Sequence, residues 1–349
     1  MQLTLTLTGK QAAVAVDGAP SHTFPLAAFQ TLSLEDPAAL GKTLFAALFP
    51  EGSPARAALE AGPDRLLLVA ADEALDALPW EFLHGPEGYL GLDVPIVRGL
   101  PPEQRIASAS APPPDRLRVL AVASNPIGVQ PPLDIEGEWE RLRQAVEATG
   151  RAVVLQRVRP PSPEGLRRAL NHRAGAVIHF MGHGGEGGYL LFEDGQGSPK
   201  KVTARDLLRR IRNLAFLVTL NACVSAAPSP DDDTGFANIA RALVAHGVPY
   251  ALGMRFPIGD EDAKAFSRAL FAELATGVPP EEAVMQVRVE LADRRNPYAV
   301  GIPVLYTALE APAPGFPTPE GAAQVDDGQP PMEVDAVPRA AGASGWRVW

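Results

Sequence analysis

The sequence predicts an α/β protein, with a mostly parallel sheet carrying helices on both faces and a smaller α+β region ahead of it. Three observations carry that expectation. From residue 116 onward, short apolar runs alternate with longer segments of helical period, the order that builds a sheet covered on both sides. Before residue 108 the pattern is mixed and begins with period-two alternation. With 349 residues, 46% hydrophobic and 21% charged, there is apolar material for one large or two modest cores.

The elements follow in order. Residues 2–8 and 11–16 alternate apolar and polar about Gly9-Lys10, a hairpin pattern. A helix is expected over 37–48, where Leu40, Leu44 and Leu48 recur every four residues. The run 65–71 reads as a buried strand; Leu78-Pro79-Trp80-Glu81-Phe82-Leu83 and a strand near 94–98 come after it. Small residues and prolines over 108–114 read as a linker, which divides the chain into 1–107, a linker at 108–115 and a core at 116–310. In the core, strand 117–123 leads to a helix over 134–149 with Ile135, Trp139, Leu142 and Val146 on one face and Gly150 as its stop. Strand 152–158 precedes a helix opened by Ser162-Pro163. Then come strand 175–181, a Gly-rich turn, a hairpin at 189–193, and a helix capped by Thr203 and Asp206. Strand 215–220, a helix over 235–246 with Phe236, Ile239 and Leu243 on one face, strand 249–254, and helices near 261–275 and 281–294 complete the alternation. Residues 311–349 hold seven prolines and five glycines without a period, and read as a flexible tail.

Composition excludes several functions. A net charge of −10 argues against general nucleic-acid binding. No apolar run approaches the roughly 18 residues of a membrane helix. The start, Met-Gln-Leu-Thr-Leu-Thr-Leu-Thr, alternates where a signal peptide would show a basic end and an apolar block. One cysteine allows neither an internal disulfide nor a Cys-based zinc cage. The expectation is a cytoplasmic protein with no membrane or nucleic-acid partner.

The chemistry concentrates at two strand ends. Gly182-His183-Gly184-Gly185 follows the 175–181 strand, and Asn221-Ala222-Cys223 follows the 215–220 strand. Sites in open α/β sheets form beyond the carboxyl ends of strands. Successive parallel strands are commonly neighbours, about 4.8 Å apart, so His183 and Cys223 are candidates for a dyad. A thiolate is a nucleophile, and an adjacent imidazole takes its proton and returns it to a leaving amine. The N–H groups of Gly184 and Cys223 are candidates for an oxyanion hole. The bland reading of each part stays open: a small core cysteine and a common glycine turn. His179 and His183 lie on strand and turn with no further ligand cluster, so no metal is expected. A phosphate-binding reading of the 182–188 turn lacks the following helix that would supply an anion site.

Val177-Ile-His-Phe-Met-Gly-His-Gly184, Leu190-Leu-Phe-Glu-Asp-Gly195, Val202-Thr-Ala-Arg-Asp-Leu207 and Leu220-Asn-Ala-Cys-Val-Ser225 together resemble the CHAT family, caspase-like cysteine peptidases of the clan of separase, metacaspases and clostripain. Leu78-Pro79-Trp80-Glu81-Phe82-Leu83 resembles the family's Pro-Trp-Glu segment, and Ala245 to Met254 and Tyr298 to Leu305 fit its later elements; the likeness covers roughly 40–310. It implies a caspase-like sheet, His183 as general base or imidazolium partner, Cys223 as nucleophile, and peptide-bond hydrolysis of protein or peptide substrates through an acyl-enzyme, with no cofactor. Several relatives in the clan carry an acid two positions before the nucleophile, which favours basic substrates; here that position is Asn221, so a preference for Arg or Lys does not carry over. In the acidic run Asp260-Glu261-Asp262, Asp260 and Asp262 are candidates to line a substrate pocket with Asn221, one for a basic residue, or to cap the helix that begins there. With no fused repeat module, control by a separate activating protein or effector acting on the 225–234 loop is expected. The alternative is a catalytically silent interaction module of the same family.

Overall fold

Along the central strands, neighbouring residues go to opposite sides, as the two-residue period of a strand requires. Val119 and Ala121 pack with Ile135, Trp139, Phe266 and Leu270 on one face. Leu120 and Val122 pack with Leu166, Leu207, Leu208 and Leu243 on the other. This is the expected sheet with helices on both sides. In the computed structural model, the described residues are 1–29, 34–109, 115–185, 188–222, 239–256, 258–294 and 296–328.

Among the described residues the main sheet has 12 strands. From one edge they run Gln324–Asp326, Val154–Arg157, Arg118–Ala123, Ala176–Met181, Ala215–Asn221 and Tyr250–Met254, all parallel. Pro303–Thr307 then pairs antiparallel with Tyr250–Met254. Ile96–Gly99, Leu66–Ala70 and Gln2–Thr8 run parallel to Pro303–Thr307, and the antiparallel strands Gln11–Val16 and Ala19–Pro25 close the far edge.

Two expectations about organisation need correcting. The 1–107 region is not set apart from the core at a linker: Tyr306 and Thr307 pair with Arg98 and Gly99, so its strands extend the same sheet. Of the expected linker, 110–114 lie outside the described residues, while the N–H groups of Ile106 and Ala107 both bond the Ala245 carbonyl. The segment 311–328 is also no flexible tail. Gln324–Asp326 adds a strand beside Val154–Arg157, and Phe316, 3% exposed, meets Phe216 edge-on at 5.7 Å. One well-placed aromatic anchors a Pro-rich stretch that has no period to reveal it. Phe316→Ala is expected to cost about 3–5 kcal/mol, read as a lower denaturant midpoint at unchanged slope; a loss below about 1 kcal/mol would contradict the docking. Residues 329–349 lie outside the described residues.

Local signals behave as the sequence indicates. Thr203 and Asp206 form a reciprocal capping box at Ala204–Ile211, and Ser162 caps Pro163–Leu170 through the Gly165 N–H. The expected hairpin at 189–193 is instead a single strand, the middle of a three-stranded antiparallel sheet, Gly184–Gly185, Tyr189–Glu193 and Pro199–Thr203, so the turns lie outside it. The expected helix over 235–246 is described only as Ile239–Ala245, and Phe236 lies outside. No helix among the described residues is long and apolar enough to cross a membrane.

Candidate active site

The two strand ends flagged by the sequence are adjacent. Ala176–Met181 and Ala215–Asn221 pair in parallel with Met181 opposite Asn221, and the Gly182 N–H bonds the Asn221 carbonyl at 3.3 Å. Gly182 has a packing reason: a Cβ there would lie 2.8 Å from the Ser124 carbonyl oxygen and 2.9 Å from the Phe180 ring. Ser124 ties the next strand to the same rim, donating its N–H to the Met181 carbonyl and its hydroxyl to the Leu191 carbonyl, both at 2.8 Å.

His183 stands just beyond this rim, half-buried. The Pro131 carbonyl accepts a hydrogen bond from its ring, while its Nε2 is buried and has no hydrogen-bond partner among the described residues. Burial holds the imidazole below the ordinary value of 6.5, and the Pro131 carbonyl and the charge of Asp260 only partly counter it. The ring is therefore neutral at pH 7 with an open acceptor position. The His183 carbonyl accepts from the Leu191 N–H at 2.9 Å, and Gly184 faces Leu190. In antiparallel alternation that makes Gly184 and Leu190 a pair without mutual bonds. The Gly184 N–H thus turns away from the ladder, as an oxyanion donor must.

Cys223 and the 225–234 loop lie outside the described residues. The other sequence candidates separate. Asn221 and Asp260 line one cavity with His183, together with Leu133, Asp134, Glu138 and Lys264; its volume is ≈ 40 Å³, somewhat more than the roughly 30 Å³ share of one water. Asp262 does not join them. Its carboxylate takes Arg294 and Asn296 (3.2 Å) at the end of the following helix, because it points away from the strand ends. Asp260 opens helix Asp260–Ala275, whose N-cap is Gly259 without a side-chain bond, so the acidic run acts on the helix end only through its charge.

Behind the cavity runs a buried polar chain. His179, fully buried, meets the Thr219 hydroxyl at 2.6 Å and the Ser267 hydroxyl at 3.1 Å. Ser267 donates to Glu138 Oε1 at 2.8 Å, and Asn221 Nδ2 donates to the same oxygen at 2.5 Å. His179 is thereby committed to the interior, with Phe271 edge-on at 4.8 Å. Sequence reading missed Glu138 and Pro131. Glu138 had a signal: it falls between Ile135 and Leu142 on the buried stripe of its helix, a charge on an apolar face. Pro131 contributes only a main-chain oxygen, which no side-chain pattern announces.

Arg255 and Phe256, just after the strand Tyr250–Met254, are braced by the 1–107 region. Arg255 donates to the Ala77 carbonyl, and Phe256 stacks on Phe82 at 5.7 Å. Glu81, beside it, takes Arg98 in a two-pronged pair at 2.8 and 2.7 Å. The Pro-Trp-Glu segment thus supports the rim that carries Asp260.

A family model for the CHAT domain matches residues 38–312, well over half of the chain. The chain belongs to the CHAT family. Among solved structures it is similar to the Arg-specific cysteine proteinase gingipain R, RgpB of Porphyromonas gingivalis, at 12% identity and TM-score 0.50 over 81% of this chain and 68% of that one. It is also similar to separase in the Saccharomyces cerevisiae separase–securin complex, at 18% identity and TM-score 0.41 over 70% of this chain and 15% of that one. Caspase-1 of Spodoptera frugiperda matches at 10% identity and TM-score 0.37 over 60% of this chain and 93% of that one. At these identities the likeness is one of fold, and the fold is caspase-like. No curated protein matches the chain by sequence.

Proposed function

We propose that this CHAT protein is a cysteine endopeptidase in which Cys223 is the nucleophile and His183 its base. The observation that carries the reading is the His183 ring: held toward its neutral form, fixed by one nitrogen at the Pro131 carbonyl, with Nε2 enclosed at a strand end and unbonded among the described residues. Cys223 follows Asn221 by two positions, as His183 follows Met181, and Asn221 and Met181 are paired across the sheet. In this reading Nε2 accepts the thiol proton as sulfur attacks the scissile carbonyl carbon. The oxyanion takes the Gly184 and Cys223 N–H groups, a kind of donor whose loss typically costs about 3–4 kcal/mol. The imidazolium then protonates the leaving amine, and the resulting thioester is hydrolysed by a water that His183 deprotonates. Neither step needs a cofactor. The reading includes control by a separate protein or small effector; equal hydrolysis by the chain alone and with such a partner would count against that part.

The experiment is hydrolysis of a peptide library followed across pH. Because burial lowers the His183 value, the acid limb of kcat/KM is expected below pH 6.5. Asp260 raises that value, so Asp260→Asn is expected to move the limb further toward acid. A limb above 6.5, or one moved upward by the substitution, would contradict the neutral base.

A further inference from the structure

We infer that the edge of the sheet opposite His183 is a docking surface for an acidic polypeptide segment, held there by a cluster of arginines. The surface is separate from the dyad, and the inference does not depend on the peptidase chemistry.

Topology gathers the cluster. Arg118–Ala123, Ala176–Met181 and Ala215–Asn221 are adjacent and parallel, so the residues entering them share one edge, and His183 stands beyond the other. Arg116, Arg173 and Arg212 each lie two or three residues before one of these strands, and all three are exposed. Helix Pro163–Leu170 leads into Ala176–Met181, and helix Ala204–Ile211 leads into Ala215–Asn221, so both helices end at this edge. They pack on the same face of the sheet, and their last turns carry Arg167 and Arg168, and Arg209 and Arg210. One cation per helix would answer the helix dipole; here each last turn has two, and three more arginines lie beyond the helices. Among the described residues the ion pairs here are Arg209 with Asp206 at 3.7 Å and Arg210 with Glu164 at 3.4 Å, while Arg116, Arg167, Arg168, Arg173 and Arg212 have none. In the connections entering the strands, 115–117, 171–175 and 212–214, the sole acid is Asp115. The crowding is felt at Arg118, whose guanidinium is lowered by burial and then by the like charge of Arg173. All this occurs in a chain with 41 acidic against 31 basic residues. The fitting ligand supplies carboxylates, which guanidinium forks grip at two points. Three adjacent strands span about 10 Å, the length of about three extended residues, so a short run of Asp and Glu can end where the surface does. A nucleic acid is charged along its whole length and would run on over an acidic molecule. The two helices and these connections also hold no Phe, Tyr or Trp on which a base would stack.

The test is fluorescence anisotropy of a labelled hexaglutamate peptide titrated with the whole chain, with hexaglutamine as its uncharged control. Hexaglutamate is expected to bind in the micromolar range and to weaken as salt is added, and hexaglutamine not to bind. Arg173→Glu with Arg212→Glu is expected to raise Kd at least about tenfold. Lys10→Glu with Lys42→Glu makes the same change in net charge at exposed positions of the 1–107 region, and should change Kd less than about twofold. All four positions are exposed, so both double variants should unfold with the parent. A Kd for hexaglutamate above about 1 mM, or equal losses in the two double variants, overturns the docking surface. A single-stranded oligonucleotide of the same charge that binds more tightly than the peptide overturns it in favour of a nucleic acid. Self-association of the chain in sedimentation, lost in Arg173→Glu with Arg212→Glu, overturns it in favour of a second copy.

Discussion

Replacing either member of the dyad is expected to remove peptide hydrolysis almost completely. For His183→Ala, kcat/KM is expected to fall by about 10³–10⁴, since the substitution deletes the proton acceptor for attack and the donor for the leaving amine. That is about 4–5.5 kcal/mol of transition-state stabilisation at 1.36 kcal/mol per decade. Cys223→Ala is expected to leave no acyl-enzyme and a similar or larger loss. The two losses are not additive, because the groups act as a unit, and the double variant should be no worse than the single ones. Among the described residues the ring makes a single hydrogen bond, to the Pro131 carbonyl, so His183→Ala should unfold within a few degrees of the parent. Hydrolysis retained within tenfold by a folded His183→Ala protein would sink the assignment.

An effect on stability as large as that of Phe316→Ala is expected away from the site, at Glu81 and Arg98. Both side chains are essentially fully buried. Arg98 Nε and Nη2 grip the two Glu81 oxygens, Nη2 also donates to the Leu78 carbonyl at 2.8 Å, and Nη1 reaches the Asp76 carbonyl. Burial pushes the Glu81 carboxyl upward, but the charge and hydrogen bonds of Arg98 outweigh it and hold it below 4.5. Breaking one side of a buried pair strands the other charge in the interior, so Glu81→Gln or Arg98→Met is expected to cost about 3–5 kcal/mol in denaturant unfolding. Replacing both with apolar residues should recover part of that loss, which a double-mutant cycle measures. The pH dependence has a definite sign. A carboxyl whose folded value is depressed contributes stability above its ordinary value of 4.5 and loses it as pH falls through the folded value, so the parent should lose this contribution on acidification and Glu81→Gln should not.

Much of the fold was legible because its elements carry local signals. The alternation of Val119 and Ala121 with Leu120 and Val122, the Thr203–Asp206 capping box and the Ser162-Pro163 start are all short-range, and each appears where the pattern puts it. What the sequence hides is partnership at a distance. Nothing near residue 108 shows that Arg98 and Gly99 will pair with a strand two hundred residues later, so a Pro-rich stretch reads as a boundary where the sheet is continuous. Phe316 is one aromatic among prolines, and its burial depends on Phe216 across the core. At the site, His183, Gly184, Asn221 and Asp260 were visible from topology. Asp262 was carried along by adjacency, although two helical positions, about 200° around the helix from Asp260, send it to Arg294. Glu138 was overlooked because its helix was read by its apolar stripe, and the charge inside that stripe is what meets Asn221.

The central claim is a proximity between one sulfur and one ring nitrogen, and a short bifunctional reagent tests it most directly. Treatment with 1,3-dibromoacetone, which places two alkylating carbons either side of a single carbonyl, is expected to tether the lone cysteine to Nε2 of His183, giving one cross-linked pair of proteolytic peptides in the mass spectrum. A product alkylated at Cys223 alone, with the peptide carrying His183 recovered unmodified, would contradict the account.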